Sequence, residues 1–65
     1  MKITVNGNPE TIDACSIAGY LAGKGLTGEG VVVEHNYQIV KRAEWSKVQL
    51  NENDNLEVLS FVGGG

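Results

Sequence analysis

Ser16-Ile17-Ala18-Gly19-Tyr20-Leu21-Ala22-Gly23-Lys24-Gly25 carries the helical period in a chain whose other apolar residues alternate. Ser16 is a preferred N-cap residue, and Ile17, Tyr20 and Leu21 follow at i, i+3 and i+4, the spacing of one apolar helix face. The spacing predicts a helix over 17–24 with Gly25 as its stop. Its interior holds Gly19 and Gly23, each about 1 kcal/mol worse than alanine, so packing against a sheet has to hold it in place. Before it, Lys2-Ile3-Thr4-Val5-Asn6 alternates polar and β-branched residues as a strand, Gly7-Asn8 reads as a tight turn, and 9–12 reads as the return strand with Pro9 at its start. After it, the glycine-rich connection 26–30 brings helix and loop to the dozen or more residues that a crossover between parallel strands needs. Strands are expected at 31–35 and 37–40, with Asn36 near the bend. A short strand follows at 48–50, then the turn cluster Asn51-Glu52-Asn53-Asp54-Asn55 and a closing strand at 56–62. Four or five short strands and one early helix make an α+β domain whose sheet buries one face on that helix. The expected core is Ile3, Val5, Ile12, Ile17, Leu21, Leu26, Val31, Val33, Ile39, Trp45, Leu50, Leu56 and Val58.

At 65 residues the chain holds one small domain, and 42% hydrophobic with 20% charged residues is a globular composition. Its longest apolar run, 31–33, is far short of the roughly 20 residues a membrane-crossing helix needs. The lone Cys15 makes no internal disulfide, and Met1-Lys2-Ile3 leads straight into polar residues rather than a signal-peptide core. The cytosol is therefore the expected compartment. One histidine and one cysteine are too few for a closed zinc site, so no metal is expected. The net charge of −3 and the scattered Lys2, Lys24, Lys41, Arg42 and Lys47 argue against nucleic acid. Any partner steered by charge is expected to present a basic surface.

In the closing strand the two-residue period sets Leu56, Val58, Ser60 and Val62 on one face and Glu57, Leu59 and Phe61 on the other. One helix covers only one face, so Leu59 and Phe61 are expected on open sheet surface as a docking patch. Beyond them lies Gly63-Gly64-Gly65 with its free carboxylate. Three glycines bury no side chain and lose the most entropy on ordering, so this tail is expected to be mobile and to reach roughly 10 Å past the strand. Without Cβ atoms it can thread a narrow channel and present the Gly65 carbonyl unhindered. A carboxylate with a pKa of about 3.5 is a poor electrophile at neutral pH and needs activation. Attack of its oxygen on the α-phosphate of ATP gives an acyl-adenylate that a sulfur nucleophile opens to a thiocarboxylate or thioester.

Other candidates are weaker. Cys15 has no histidine at a meaningful spacing and reads as a buried structural residue, and His35 as structural or solvated. Gly23, Gly25, Gly28 and Gly30 follow a helix and match neither a P-loop nor a dinucleotide fingerprint. Glu29, Glu34, Glu44, Glu52, Asp54 and Glu57 form no paired-carboxylate motif and read as solvated surface.

Over essentially its whole length the chain resembles the ubiquitin-like sulfur carriers, and among them the ThiS-type carriers of thiamin biosynthesis. The resemblance rests on the order of the elements, on Glu34-His35-Asn36, on the pattern Asn36-x-x-Ile39-Val40-x-Arg42-x-x-Trp45, and on the closing Gly64-Gly65. It implies a ubiquitin-like β-grasp, a mixed four- to five-stranded sheet packed on one helix, over 1–62, with 63–65 as a flexible glycine tail. It further implies that an E1-like adenylyltransferase of the ThiF type, using ATP and Mg²⁺, activates Gly65. A sulfur donor enzyme then supplies the sulfur, and a ThiG-type thiazole synthase takes it. On that basis the carrier binds no cofactor and is a protein co-substrate rather than an enzyme. Gly65 is its acyl site, Gly64 the second tail position, and Gly63, Phe61 and Leu59 the partner-binding residues. Two departures from the resembled pattern stand out: Lys41 where relatives often carry proline, and Gly63 where a larger residue is more usual. Competing readings are the small subunit of molybdopterin synthase, generally longer than this chain, a protein modifier conjugated through Gly65, and a plain interaction module using Leu59 and Phe61.

Overall fold

The computed structural model describes residues 1–61, and among these five strands and one helix build the domain. In chain order these are β1 (Lys2–Val5), β2 (Asn8–Thr11), α1 (Ile17–Gly23), β3 (Val31–His35), β4 (Gln38–Val40), a 3-10 turn (Arg42–Glu44) and β5 (Asn55–Ser60). The sheet order is β2-β1-β5-β3-β4, with β1 and β5 parallel at the centre and the other pairs antiparallel. The α1 connection carries the chain from one edge of the sheet across to β3. This is the β-grasp architecture, a mixed sheet closed on one helix.

Local chemistry explains the edges. The first turn lies at Asn6-Gly7, one residue earlier than its sequence reading, with φ of +50° and +83°. That pair of positive angles is what a two-residue hairpin of matching twist demands, and Asn-Gly supplies it. The slip moves Asn8 into β2. Met1 and Ile12 exchange both backbone bonds, at 2.8 and 2.9 Å. The alternation of bonded pairs then sets Pro9, opposite Thr4, at a non-bonded position where no N–H is needed. The second hairpin turns at Asn36-Tyr37, both at positive φ, so Tyr37 leaves the strand expected at 37–40.

The core joins Ile17, Tyr20 and Leu21 of α1 to Ile3, Val5, Val33, Leu56 and Val58 of the sheet, closed at one end by Trp45 and Leu50. Ile12, Leu26 and Val31 are only partly buried against it. Tyr20, on the apolar helix face with Ile17 and Leu21 but absent from the expected core, belongs to the core as well. The ring is buried while the hydroxyl donates to Glu10 Oε1 at 2.8 Å on the β2 edge. Burial first, then that bond to a carboxylate, pushes the phenol up to about 12. Ile39, expected in the core, is 70% exposed. It pairs with Glu34, which sets it on the open face, whereas Val40 pairs with the buried Val33 and takes the inward position.

The expected strand at 48–50 is a single bridge between Ser16 and Gln49. Val48, together with Trp45 upstream, instead satisfies the start of α1. Ile17 N–H donates to Val48 and Ala18 N–H to Trp45, each at 3.0 Å, and Gly19 N–H donates to Ser16 Oγ. A short helix whose first amides are consumed this way needs no further N-terminal partner. Trp45 is held in turn by its indole N–H on the Val40 carbonyl at 3.0 Å. Arg42 lies over its ring and donates to the Thr27 carbonyl. Lys41 sits at φ −65°, the angle a proline ring would fix, so its place in the pattern is conformationally met without the ring.

Two asparagines with left-handed backbones splice β5 into the sheet. Asn6 accepts from Val58 N–H at 2.7 Å and donates to Val58 O at 3.1 Å, extending β1 by a side chain. Asn36 accepts from Asn55 N–H at 2.9 Å and donates to Asp54 at 3.2 Å. Asp54 is buried, and its Oδ2 takes His35 Nε2 and Asn51 N–H, each at 2.8 Å. Burial alone would raise its pKa, but the bonds from His35, Asn51 and Asn36 outweigh burial and hold it below the usual carboxylate value. A carboxylate depressed on folding contributes stability above its unfolded pKa of about 3.9 and loses that stability as pH falls through the folded value. We expect the thermal midpoint to fall steeply below about pH 4. In Asp54→Asn the midpoint at pH 7 should drop by an amount matching about 2 kcal/mol, with a flatter acid limb, because an amide cannot accept all three donors. Parallel acid limbs in the two proteins, followed by circular dichroism, would contradict this role.

Candidate functional site

The candidate site is the place where β5 runs out of the sheet. Leu56 and Val58 point into the core, while Leu59 and Phe61 are 57% and 62% exposed, as the two-residue period predicts. Among the described residues the strand ends at Ser60, Val62 of the strand expected at 56–62 lying outside them, and one further backbone bond fastens the chain. Phe61 N–H donates to Gly30 O at 2.7 Å. Gly30 sits at φ +83°, and a side chain there would bring its Cβ to 2.5 Å from the Phe61 carbonyl oxygen. Both the angle and the close approach require glycine at this position. Gly30 thus works as the seat against which the outgoing chain is held, and not as part of a nucleotide-binding loop.

Gly63, Gly64 and Gly65 lie outside the described residues. The face from which Phe61 departs is the open side of the sheet. Cross-strand register sets Val32 opposite Leu59, and Glu34 opposite both Glu57 and Ile39, so these five residues share that side with no helix over them. The acidic residues read as dispersed surface therefore include one matched pair, Glu34 and Glu57, whose juxtaposition depends on the β3–β5 register.

The remaining candidates separate. Cys15 is free and half-buried, packed beside Gly19 at the start of α1. His35 is engaged by Asp54 as a structural bond. Among the described residues, no group of three or more His, Cys, Asp or Glu side chains is arranged to hold a metal. No described helix is long and apolar enough to cross a membrane.

A model of the ThiS family matches residues 3–65. The chain belongs to the ThiS family. Among relatives of this ThiS-family chain, the sulfur carrier protein ThiS of Bacillus subtilis is 36% identical over 53 residues, 82% of this chain and 80% of that protein. The thiazole synthase of Magnetococcus marinus is 42% identical over 66 residues, which take in all of this chain but only 20% of that enzyme. The chain thus spans about one fifth of the thiazole synthases it matches. The crystal structure of the thiamine biosynthesis protein ThiS from Geobacter metallireducens superposes with a TM-score of 0.84 at 32% identity, covering all of both chains. Within the ThiS-family pattern, Asn36, Arg42 and Trp45 have scaffold roles here: Asn36 splices β5, and Arg42 with Trp45 anchors the segment that caps α1.

Proposed function

We propose that this ThiS-family chain is a sulfur carrier of thiamine biosynthesis, acting in the cytosol as a protein co-substrate. The observation that carries the reading is the exit of β5, where Val58 is the last buried residue described, Leu59 and Phe61 are exposed, and Gly30 seats the chain just ahead of the glycines. The carrier binds no cofactor of its own. An E1-like adenylyltransferase supplies ATP and Mg²⁺. A Gly65 carboxylate oxygen attacks the α-phosphorus and pyrophosphate leaves. Hydrosulfide delivered by a donor enzyme then adds through its sulfur to the acyl carbon, and AMP leaves as the C–O bond breaks. The resulting thiocarboxylate gives its sulfur to a thiazole synthase, the partner with which related sequences share one chain. In this reading Gly64 and Gly65 form the reacting end, and Gly63, Phe61 and Leu59 contact the enzymes.

The reading is tested by intact mass spectrometry after incubation with a cognate E1-like enzyme, ATP, Mg²⁺ and a sulfur donor. The expected result is exchange of one oxygen for one sulfur, mapped to Gly65. An unchanged mass in the presence of an enzyme active on another carrier would leave the interaction-module reading in its place.

A further inference from the structure

On the open face, Ile39 of β4, Glu34 of β3 and Glu57 of β5 lie in one row straight across three strands, and Val32 and Leu59 form the next row. Directly opposite residues on one face have Cβ atoms about 4.5–5.5 Å apart, and like charges so placed repel. Both glutamates are half-buried, and neither is ion-paired among the described residues, whose salt bridges are Lys24–Glu10, His35–Asp54 and Lys47–Glu44. The sheet thus holds two unneutralised carboxylates side by side, bordered by the exposed Leu59 and Ile39.

A surface of this make-up selects its occupant by charge. A second copy of the chain, meeting it through a two-fold axis, would bring four carboxylates together and is repelled. Nucleic acid and anionic lipid are repelled for the same reason. An arginine side chain fits. Its planar guanidinium reaches two carboxylates at once, is weakly hydrated, and carries an apolar stem that suits Val32, Leu59 and Ile39. We propose that the Glu34–Glu57 pair is the charge-selecting centre of the docking face, and that it receives an arginine from the adenylating enzyme while the surrounding apolar residues exclude water. This rests on the sulfur-carrier reading and adds to it a determinant of partner choice.

The test measures pyrophosphate exchange by the adenylating enzyme as a function of carrier concentration, together with equilibrium binding of the carrier to that enzyme. In the double variant Glu34→Gln/Glu57→Gln, KM for the carrier should rise about tenfold with kcat unchanged, and the salt dependence of binding should flatten. Glu57→Lys should raise KM further. The double variant should melt no lower than the parent, because the repulsion is gone, and that separates docking from a structural role. An unchanged KM and salt dependence, with the parent active, would overturn the docking assignment alone. Normal activation combined with slowed transfer to thiazole synthase would overturn the choice of occupant. A parent protein that neither binds nor supports exchange would overturn the carrier reading and the docking assignment with it.

Discussion

Adding one alanine after Gly65, or deleting Gly65, will abolish thiocarboxylate formation and leave the thermal midpoint unchanged. The two halves of this expectation have separate causes. Activation requires a carboxylate oxygen in line with the α-phosphorus of a nucleotide bound elsewhere, and one residue more or less displaces it by about 3.5 Å, beyond the tolerance of an in-line attack. The added alanine also brings a Cβ into a path built for glycines. Stability is spared because Gly65 and the glycines before it bury no side chain, and the last core residue among those described is Val58. Intact mass reports the first half and a melting curve the second. Sulfur transfer retained by either variant would sink the mechanism.

Leu56→Ala will strongly destabilise the protein, whereas Leu59→Ala on the same strand will not. Leu56 is fully buried at the centre of the sheet, opposite Val5 on one side and His35 on the other. Truncating such a residue costs about 3 kcal/mol through lost transfer energy and the cavity left behind. A domain of 65 residues is stable by roughly 3–10 kcal/mol in total. The midpoint should therefore fall by roughly 12–24 °C. Leu59 is exposed, and its truncation should stay within about 0.5 kcal/mol while weakening engagement of the adenylating enzyme. Equal destabilisation by the two variants would mean that the faces of β5 have been assigned wrongly.

The two-residue period of β5 was readable without coordinates because Leu56 and Val58 alternate cleanly with Glu57 and Leu59. The helix was readable because Ser16 and three spaced apolar residues agree on one start and one face. Where a residue's side depends on a turn, the reading slipped. Asn6-Gly7 and Asn36-Tyr37 are both left-handed pairs. Counting Tyr37 into its strand gave no register for β4, so Ile39 was assigned to the core although it pairs with Glu34 on the open side. The sequence sets Tyr20 on the helix's apolar face but does not show that Glu10, on another element, satisfies its hydroxyl. The same limit hid the acidic pair. Glu34 and Glu57 are 23 positions apart in sequence, and only the pairing of β3 with β5 makes them neighbours. The roles of Gly30 and Asn6 were equally out of reach, since each acts on a backbone atom contributed by β5 or its immediate continuation.

The central place of β5 bears on what happens when a partner draws the chain end toward its own active site. Such a pull acts along the strand axis, while the bonds to β1, β3, Asn6 and Gly30 run across it. Force in that direction shears all of these bonds together and cannot open them one after another, as it would at a free edge. The edge strands β2 and β4, the easiest to peel away, carry little of the load. The domain can therefore be hauled by its tail and still keep its register, so that tension at the chain end is delivered to the partner's site and is not dissipated by unravelling the carrier.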